Sequence, residues 1–167
     1  MKYIFLTAAV SALISCGPTT SGPGEISGFG LTYDQRNGGV FVGLPRTQAN
    51  QMPTGRFALT GPSSALADDG SLVFADATLQ VDIAKHTVNY TAQYSFPTGA
   101  PVGIVAVNLD APLTGPSFNN TAGEDHLIGD FYGTTGAVAA GTYFVTIKGG
   151  NGENSYVNGG FIVGPTR

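Results

Sequence analysis

The sequence has very few of the residues that carry most protein chemistry. Its 167 residues include one cysteine, two histidines and no tryptophan. A single cysteine excludes an internal disulfide framework and a cysteine-based metal cluster. Charged residues make up 11% of the chain, which is less than half of the usual share of about 25%. The acidic balance, with a formal net charge of −4, argues against nucleic acid as a partner.

The sequence also has no apolar run long enough to cross a bilayer as a helix. The run from Ile4 to Ile14 follows a single basic residue, Lys2, and is shorter than the roughly 20 residues that a spanning helix needs. This layout is typical of a secretory signal peptide. We therefore predict that residues 1–15 are a signal peptide.

The end of this run predicts a lipid attachment site. Leu13-Ile14-Ser15-Cys16 resembles the bacterial lipobox, in which a small residue precedes the cysteine that takes a diacylglycerol. The alternative is an ordinary secreted protein with an incidental cysteine. We favour lipidation because an unmodified exposed thiol outside the cytoplasm is a liability, and because several acyl chains anchor firmly, at about 0.8 kcal/mol per buried methylene.

The residue after the lipobox bears on where the chain is sorted. It is Gly17 rather than Asp, which favours anchoring in the outer membrane by resemblance to enterobacterial sorting rules. We therefore predict a membrane partner through the lipid at Cys16. Whether the domain faces the periplasm or the outside is left open by this signal.

The rest of the chain divides into a tether, an extension and a main domain. Residues 16–25 are rich in Gly, Ser, Thr and Pro and predict a flexible tether. Residues 26–52 predict a hairpin, because Asn37-Gly38-Gly39 separates two short segments with strand character. We expect this hairpin to pack on the main domain, which we assign to residues 53–167.

The main domain has the pattern of an all-β fold. Apolar and polar residues alternate strictly over Ala75–Ile83 and Thr87–Phe96, which predicts two strands with one buried face each. Ala84-Lys85-His86 joins them as an antiparallel hairpin. No segment predicts a crossover helix, so we expect a small antiparallel β-barrel of about eight strands. The other predicted strands are Gly55–Thr60, Val102–Leu109, Leu127–Tyr132, Thr142–Lys148 and Val157–Val163, with turn-rich segments at Gly61–Gly70, Thr114–Asp125 and Gly149–Asn154.

Three segments of this domain are similar in sequence to segments of a known family of barrels. They are Ala77–Ile83 with Thr87-Val88, Gly129–Gly133 with Ala137–Tyr143, and Gly159–Arg167. Over about residues 53–167 the chain resembles the transferrin-binding-protein-like family of surface lipoproteins, to which the barrel of factor H binding protein is related. The chain departs from the family pattern at Ala139-Ala140 and at Pro165.

The resemblance implies an eight-stranded barrel on an anchored binding module. It does not imply binding of transferrin or of any named host protein, because the large members have two lobes and this chain has room for one barrel.

The titratable residues predict no reactive centre. His126 follows Glu124-Asp125 and precedes Asp130, so a metal site is conceivable. However, ligation needs three or four converging groups, and a polar loop before a strand is the favoured interpretation. His86 is expected in a solvated turn, and neither histidine lies near a Gly-x-Ser-x-Gly elbow. We predict no catalytic residue, no metal and no cofactor, and hence not an enzyme.

Aromatic residues are the candidate binding groups. Phe131, Tyr132, Tyr143 and Phe144 lie near one another in the predicted barrel. Neighbours on a strand face opposite sides, so either Tyr143 or Phe144 is expected on the outside, where it would contact a protein or a small solute. Core packing is the alternative interpretation of this group.

The sequence is compatible with three functional classes. The leading hypothesis is a non-catalytic binding module. A structural envelope protein and a carrier for a small apolar ligand are the alternatives. The expected inward side chains are large enough to fill an eight-stranded barrel, which argues against the carrier. They are Leu79, Val81, Ile83, Val88, Tyr90 and Tyr94.

Overall fold

The structure of the chain is a computed structural model that describes residues 44–97, 103–148 and 153–165, together with the backbone of two short strands. These strands, β1 (Tyr33–Asp34) and β2 (Val40–Phe41), pair antiparallel, with Tyr33 opposite Phe41. The strand pairing expected on either side of Asn37-Gly38-Gly39 is therefore present. The signal peptide, Cys16, the tether and the packing of the hairpin lie outside the described residues.

Eight further strands form one closed antiparallel barrel. Their order around the barrel is β10-β3-β4-β5-β6-β7-β8-β9. The predicted all-β class and the predicted number of strands are confirmed. The strands are β3 (Arg56–Ala67), β4 (Leu72–Asp82), β5 (Thr87–Ser95), β6 (Ile104–Thr114), β7 (Ser117–Asn120), β8 (His126–Tyr132), β9 (Val138–Lys148) and β10 (Asn154–Pro165).

Alternation along the strands places the core inside the barrel. Side chains on a strand point to opposite faces at successive positions. Along β6, buried and exposed residues alternate without a break, and β5 behaves in the same way. Five of the six expected inward residues are buried; Ile83, in the turn after β4, packs against the core from its edge.

Two segments that the sequence predicts as turns are partly strand. β3 continues through Gly61–Gly70 as far as Ala67, and β7 lies within Thr114–Asp125. Ser63 and Ser64 favour a turn prediction because serine is common in turns. In the structure both are buried, and Ser63 forms hydrogen bonds inside the barrel. β7 has only four residues, which is too short for alternation to reveal it.

A short segment before β3, residues 44–52, crosses one end of the barrel. We call this segment the strap; it includes one 3-10 turn at Ala49–Gln51. The Thr47 N–H donates to the Phe131 carbonyl oxygen at 2.8 Å, and the Gly133 N–H donates to the Pro45 carbonyl oxygen at 2.9 Å. These bonds fix the strap against the end of β8.

The side chain of Arg46 adds a polar contact to the strap. It forms an ion pair with Asp130 at 2.6 Å and also donates to Ser117 Oγ. We call the end of the barrel that carries the strap the strap end. The opposite end, where β4, β6, β8 and β10 begin, is called the distal end.

Candidate functional site

The barrel interior is filled by aromatic rings. Tyr90 lies 4.6 Å from Phe161 and 5.3 Å from Tyr143, measured between ring centroids. Phe118 meets Phe131 edge to face at 5.6 Å. All five rings are buried. An interior packed in this way leaves the outer wall and the loops as the surfaces that can meet a partner.

Phenol and serine hydroxyls form a closed network among these rings. Ser63 Oγ lies 2.6 Å from the Tyr90 hydroxyl and also contacts the Tyr94 hydroxyl, and the two phenols are 2.9 Å apart. The Tyr143 hydroxyl donates to the Ser64 carbonyl oxygen at 2.9 Å. Within the described part of the chain no buried side-chain nitrogen or oxygen is without a partner. A fully satisfied network stabilises one core arrangement.

Burial changes the acidity of these phenols. Removal from water raises the pKa of Tyr90 and of Tyr143, and the neighbouring phenol of Tyr94 adds to the rise at both. Removal from water also raises the pKa of Tyr94. All three phenols therefore remain neutral at physiological pH.

The structure separates the four aromatic residues proposed as binding groups. Phe131, Tyr132 and Tyr143 are buried, with exposed fractions of 0%, 2% and 3%. Tyr132 points out of the barrel but is covered by an apolar cluster that includes Ala140, Ile162 and Leu44 of the strap. Because buried rings present no surface to an external partner, the expectation of a contact role is corrected for these three; they serve as packing.

Phe144 is the member of this group that lies on the outer wall. It is half-buried, and its ring lies 5.6 Å from Tyr156 and 5.9 Å from His126. The expectation that Tyr143 and Phe144 face opposite sides is confirmed.

A set of exposed apolar side chains lies near the distal end. Phe74 is 66% exposed and Ile104 is 72% exposed. Each member of the set falls within the first three residues of β4, β6, β8 or β10, so the set is spread over alternate strands around the barrel. Ile128, which lies opposite Thr142 of β9, is nearer the middle of the wall than the others. We call this set the distal apolar set; it consists of Leu72, Phe74, Ile104, Ile128 and Tyr156.

Sequence reasoning missed the distal apolar set, although β4 contains a signal for it. The inward positions of β4 are odd-numbered, as at Leu79 and Val81. Leu72 and Phe74 are apolar at even-numbered positions, so they are out of phase with the core pattern. Apolar residues in the polar phase of a strand predict an exposed contact surface.

The loops at the distal end carry negative charge. Asp68 and Asp69 lie between β3 and β4, Glu124 and Asp125 lie between β7 and β8, and Glu153 precedes β10. Among the described residues of this end, only Lys148 at the end of β9 is cationic. The distal end therefore combines exposed apolar groups with an acidic rim.

Open clefts lie on the outer wall in the part of the chain that the structure describes, and two of them bear on binding. One, of about 430 Å³, is near the strap end and is lined by Arg56, Asp82 and Lys85 among others; Arg56 and Asp82 form an ion pair at 2.6 Å there. The second, of about 450 Å³, lies between β6 and the β7–β8 loop. Its lining includes three carboxylates, those of Asp110, Glu124 and Asp125.

The residues considered as possible metal ligands each make a different contact and do not converge on one point. His126 Nε2 lies 3.2 Å from the Gly123 carbonyl oxygen, and Asp125 accepts the Thr146 N–H at 2.8 Å. Asp130 is paired with Arg46. Within the described ranges, no group of three or more His, Cys, Asp and Glu side chains converges. His86 lies in the β4–β5 turn with φ of 54°.

No protein-family model and no curated protein matches the chain. Among residues 44–97, 103–148 and 153–165, no helix has the length and apolar character needed to cross a membrane.

Proposed function

We propose that the chain is a lipid-anchored, non-catalytic binding module of a bacterial outer membrane, and that its distal end contacts the partner. One observation carries the binding role: Phe74 and Ile104, the two most exposed apolar side chains of the distal apolar set, lie on the strands that flank β5, on a barrel whose interior is filled. Large apolar side chains that are more than half exposed on neighbouring parts of a wall are candidates for contact with a partner. The resemblance to the transferrin-binding-protein-like lipoproteins is part of this proposal.

The direction of the distal end supports the same role. The chain enters the barrel through the strap, at the end opposite the distal apolar set. A tether that continues from the strap to a lipid at Cys16 would hold the strap end towards the membrane. The distal end would then face away from the membrane, where a partner can reach it.

The acidic rim narrows the class of partner. Carboxylates in the loops beside exposed apolar side chains favour a basic protein surface and disfavour anionic lipid and nucleic acid. A carrier for an apolar ligand is less well supported, because the rings of Tyr90, Tyr143 and Phe161 occupy the space that the ligand would need.

The anchor is tested by Cys16→Ala. We expect this variant to move from the membrane fraction to the soluble fraction, or to accumulate as an uncleaved precursor, because it lacks the acyl-bearing thiol. Ser15→Ala is the matched control, since it keeps a small residue before the cysteine and should remain lipidated. Mass spectrometry of the purified N-terminal peptide measures the acyl groups directly. A bare thiol at Cys16 in membrane-bound protein would refute the anchor.

The binding role is tested by site-specific photo-cross-linking in intact cells. A photoreactive residue at Phe74 lies in the distal apolar set, and one at Gln80 lies on the same outer face of β4 nearer the strap end. We expect a discrete adduct with another protein from position 74 and little from position 80. A structural spacer without a specific partner would give equal adducts at both positions or none, and either result would count against the proposal.

A further inference from the structure

One stretch of strand edge in the barrel wall has no neighbouring strand among the described residues. β6 pairs with β5 along its length, from Ile104 to Pro112. On its other side, β7 pairs only with Leu113 and Thr114. The edge of β6 from Ile104 to Asp110 therefore has no second ladder. We call this stretch the open edge.

Hydrogen bonds show which backbone groups point to the open edge. The Phe96 N–H donates to the Gly103 carbonyl oxygen at 2.9 Å, and the Leu113 N–H donates to the His86 carbonyl oxygen at 2.8 Å. Odd-numbered residues of β6 thus direct their backbone groups towards β5. Even-numbered residues direct theirs the other way, because the direction alternates along an antiparallel strand. The even-numbered residues within the open edge are Ile104, Ala106, Asn108 and Asp110.

Local chemistry explains why β7 leaves β6. Pro112 is the next even-numbered residue, and it has no N–H to donate to β7. β7 ends at Asn120, whose side-chain amide donates to the Asp110 carbonyl oxygen at 2.8 Å in place of a backbone ladder. β8 does not begin until His126. The N–H and C=O groups of Ile104, Ala106 and Asn108 therefore point away from β5 with no strand opposite them among the described residues, and Asn108 lines a cleft on that side.

We propose that the open edge accepts an extended, cationic peptide segment of a partner protein as an added β-strand; this inference rests on the proposed binding function and names the contact it uses. Addition of a strand satisfies unpaired backbone groups along a sheet edge and gives affinity without requiring one side-chain sequence. The exposed side chain of Ile104 adds an apolar contact at the distal end of the same edge.

The negative charge of the neighbouring cleft favours a cationic peptide as the added strand. The part of the open edge from Asn108 to Asp110 borders the cleft of about 450 Å³ that contains the carboxylates of Asp110, Glu124 and Asp125, and no Lys or Arg is among the residues that line it. A peptide with basic side chains complements this surface. Pairing of two copies through this edge would bring the same carboxylates together, and like charges across a strand pair are destabilising.

Hydrogen exchange tests the open edge in the full-length, lipidated protein in nonionic detergent. In the free protein, we expect the amides of Ile104, Ala106 and Asn108 to exchange fast and those of Val105, Val107 and Leu109 to be protected, as measured by NMR. A peptide of alternating Lys and Val should protect the first three amides, and one of alternating Glu and Val should not.

Several results of the exchange experiment would overturn strand addition. One is that the three even-numbered amides are already protected in the free protein. Another is that these three amides still exchange fast when the Lys-Val peptide is bound. Protection that increases with protein concentration, without peptide, would mean that a second copy occupies the edge. If these amides stay fast while Phe74 still cross-links to a partner, strand addition is wrong and the proposed function stands.

Substitutions at Ala106 separate backbone pairing from side-chain contact. Ala106→Pro removes the N–H that faces the open edge and leaves the ladder with β5, and proline is tolerated on such edges. We expect it to weaken binding of the Lys-Val peptide about tenfold, as loss of one backbone hydrogen bond predicts. Ala106→Ser keeps the N–H and should bind like the parent. Equal binding by both variants would overturn the proposal.

A charge variant tests the same edge if Ala106→Pro fails to fold. Glu124→Gln removes a carboxylate of the cleft, and Asp76→Asn removes an exposed carboxylate from β4, outside it. We expect only Glu124→Gln to weaken binding of the Lys-Val peptide and to reduce its dependence on salt. Equal effects of the two substitutions would mean that net charge alone attracts the peptide, and would overturn the assignment to this cleft.

Discussion

Above pH 10 the barrel should lose stability steeply. Burial raises the pKa of Tyr90, Tyr94 and Tyr143 in the folded chain, whereas an unfolded tyrosine ionises near pH 10. The folded state therefore retains protons that the unfolded state releases, so these three tyrosines leave stability unchanged below pH 10 and lower it as the pH rises beyond 10. Each tyrosine contributes a slope of about 1.4 kcal/mol per pH unit, and three together contribute about 4 kcal/mol per unit.

This slope is large compared with the stability of a domain. Small domains unfold with free energies of about 5–15 kcal/mol, so the barrel should unfold within a few pH units above 10. Urea denaturation followed by circular dichroism between pH 8 and pH 12 measures the slope. Tyr143→Phe should reduce the slope of the free energy of unfolding against pH by about one third, because only two buried phenols then release a proton on unfolding. Stability that stays constant to pH 12 would contradict the burial of these phenols.

Regular alternation is the part of the fold that the sequence predicts well. In β4 and β5 the inward residues are apolar at every second position, from Ala77 to Val81 and from Val88 to Tyr94. Such a pattern is local, so it can be read without knowledge of neighbours. The turn at Ala84-Lys85-His86 is local too, and it joins the two strands as expected.

Other features depend on contacts between distant segments. Tyr132 lies at an outward position, yet the strap and Ile162 bury it, and no local pattern carries that information. The same holds for Ser63, which looks like a loop residue until Tyr90 and Tyr94 are placed beside it. The open edge arises from the short length of β7 and from Pro112, and it becomes visible only when the strand register is known.

Phe161→Ala should cause the largest loss of stability among single substitutions in the described core. The Phe161 ring is 1% exposed and packs against Tyr90 at 4.6 Å and Phe118 at 6.3 Å. Truncation removes the buried ring and leaves a cavity, which typically costs about 3–5 kcal/mol. Thermal or urea denaturation at neutral pH measures the loss.

The matched control is Phe144→Ala, on the outer wall. Phe144 is half-buried and contacts His126 and Tyr156, so its removal leaves no enclosed void and should cost about 1 kcal/mol. Similar losses for Phe161→Ala and Phe144→Ala would mean that the interior is not tightly packed.

The cavity in the Phe161→Ala variant also discriminates between binding inside and outside the barrel. A dry apolar void of this kind binds small aromatic molecules such as benzene, and a ligand that binds only the folded state raises its melting temperature. We expect benzene to stabilise Phe161→Ala and to leave the native chain unchanged, because the native interior is already occupied by its own rings. Equal stabilisation of both proteins would show that the barrel admits ligands, and would favour an apolar carrier over a module that binds through its outer wall.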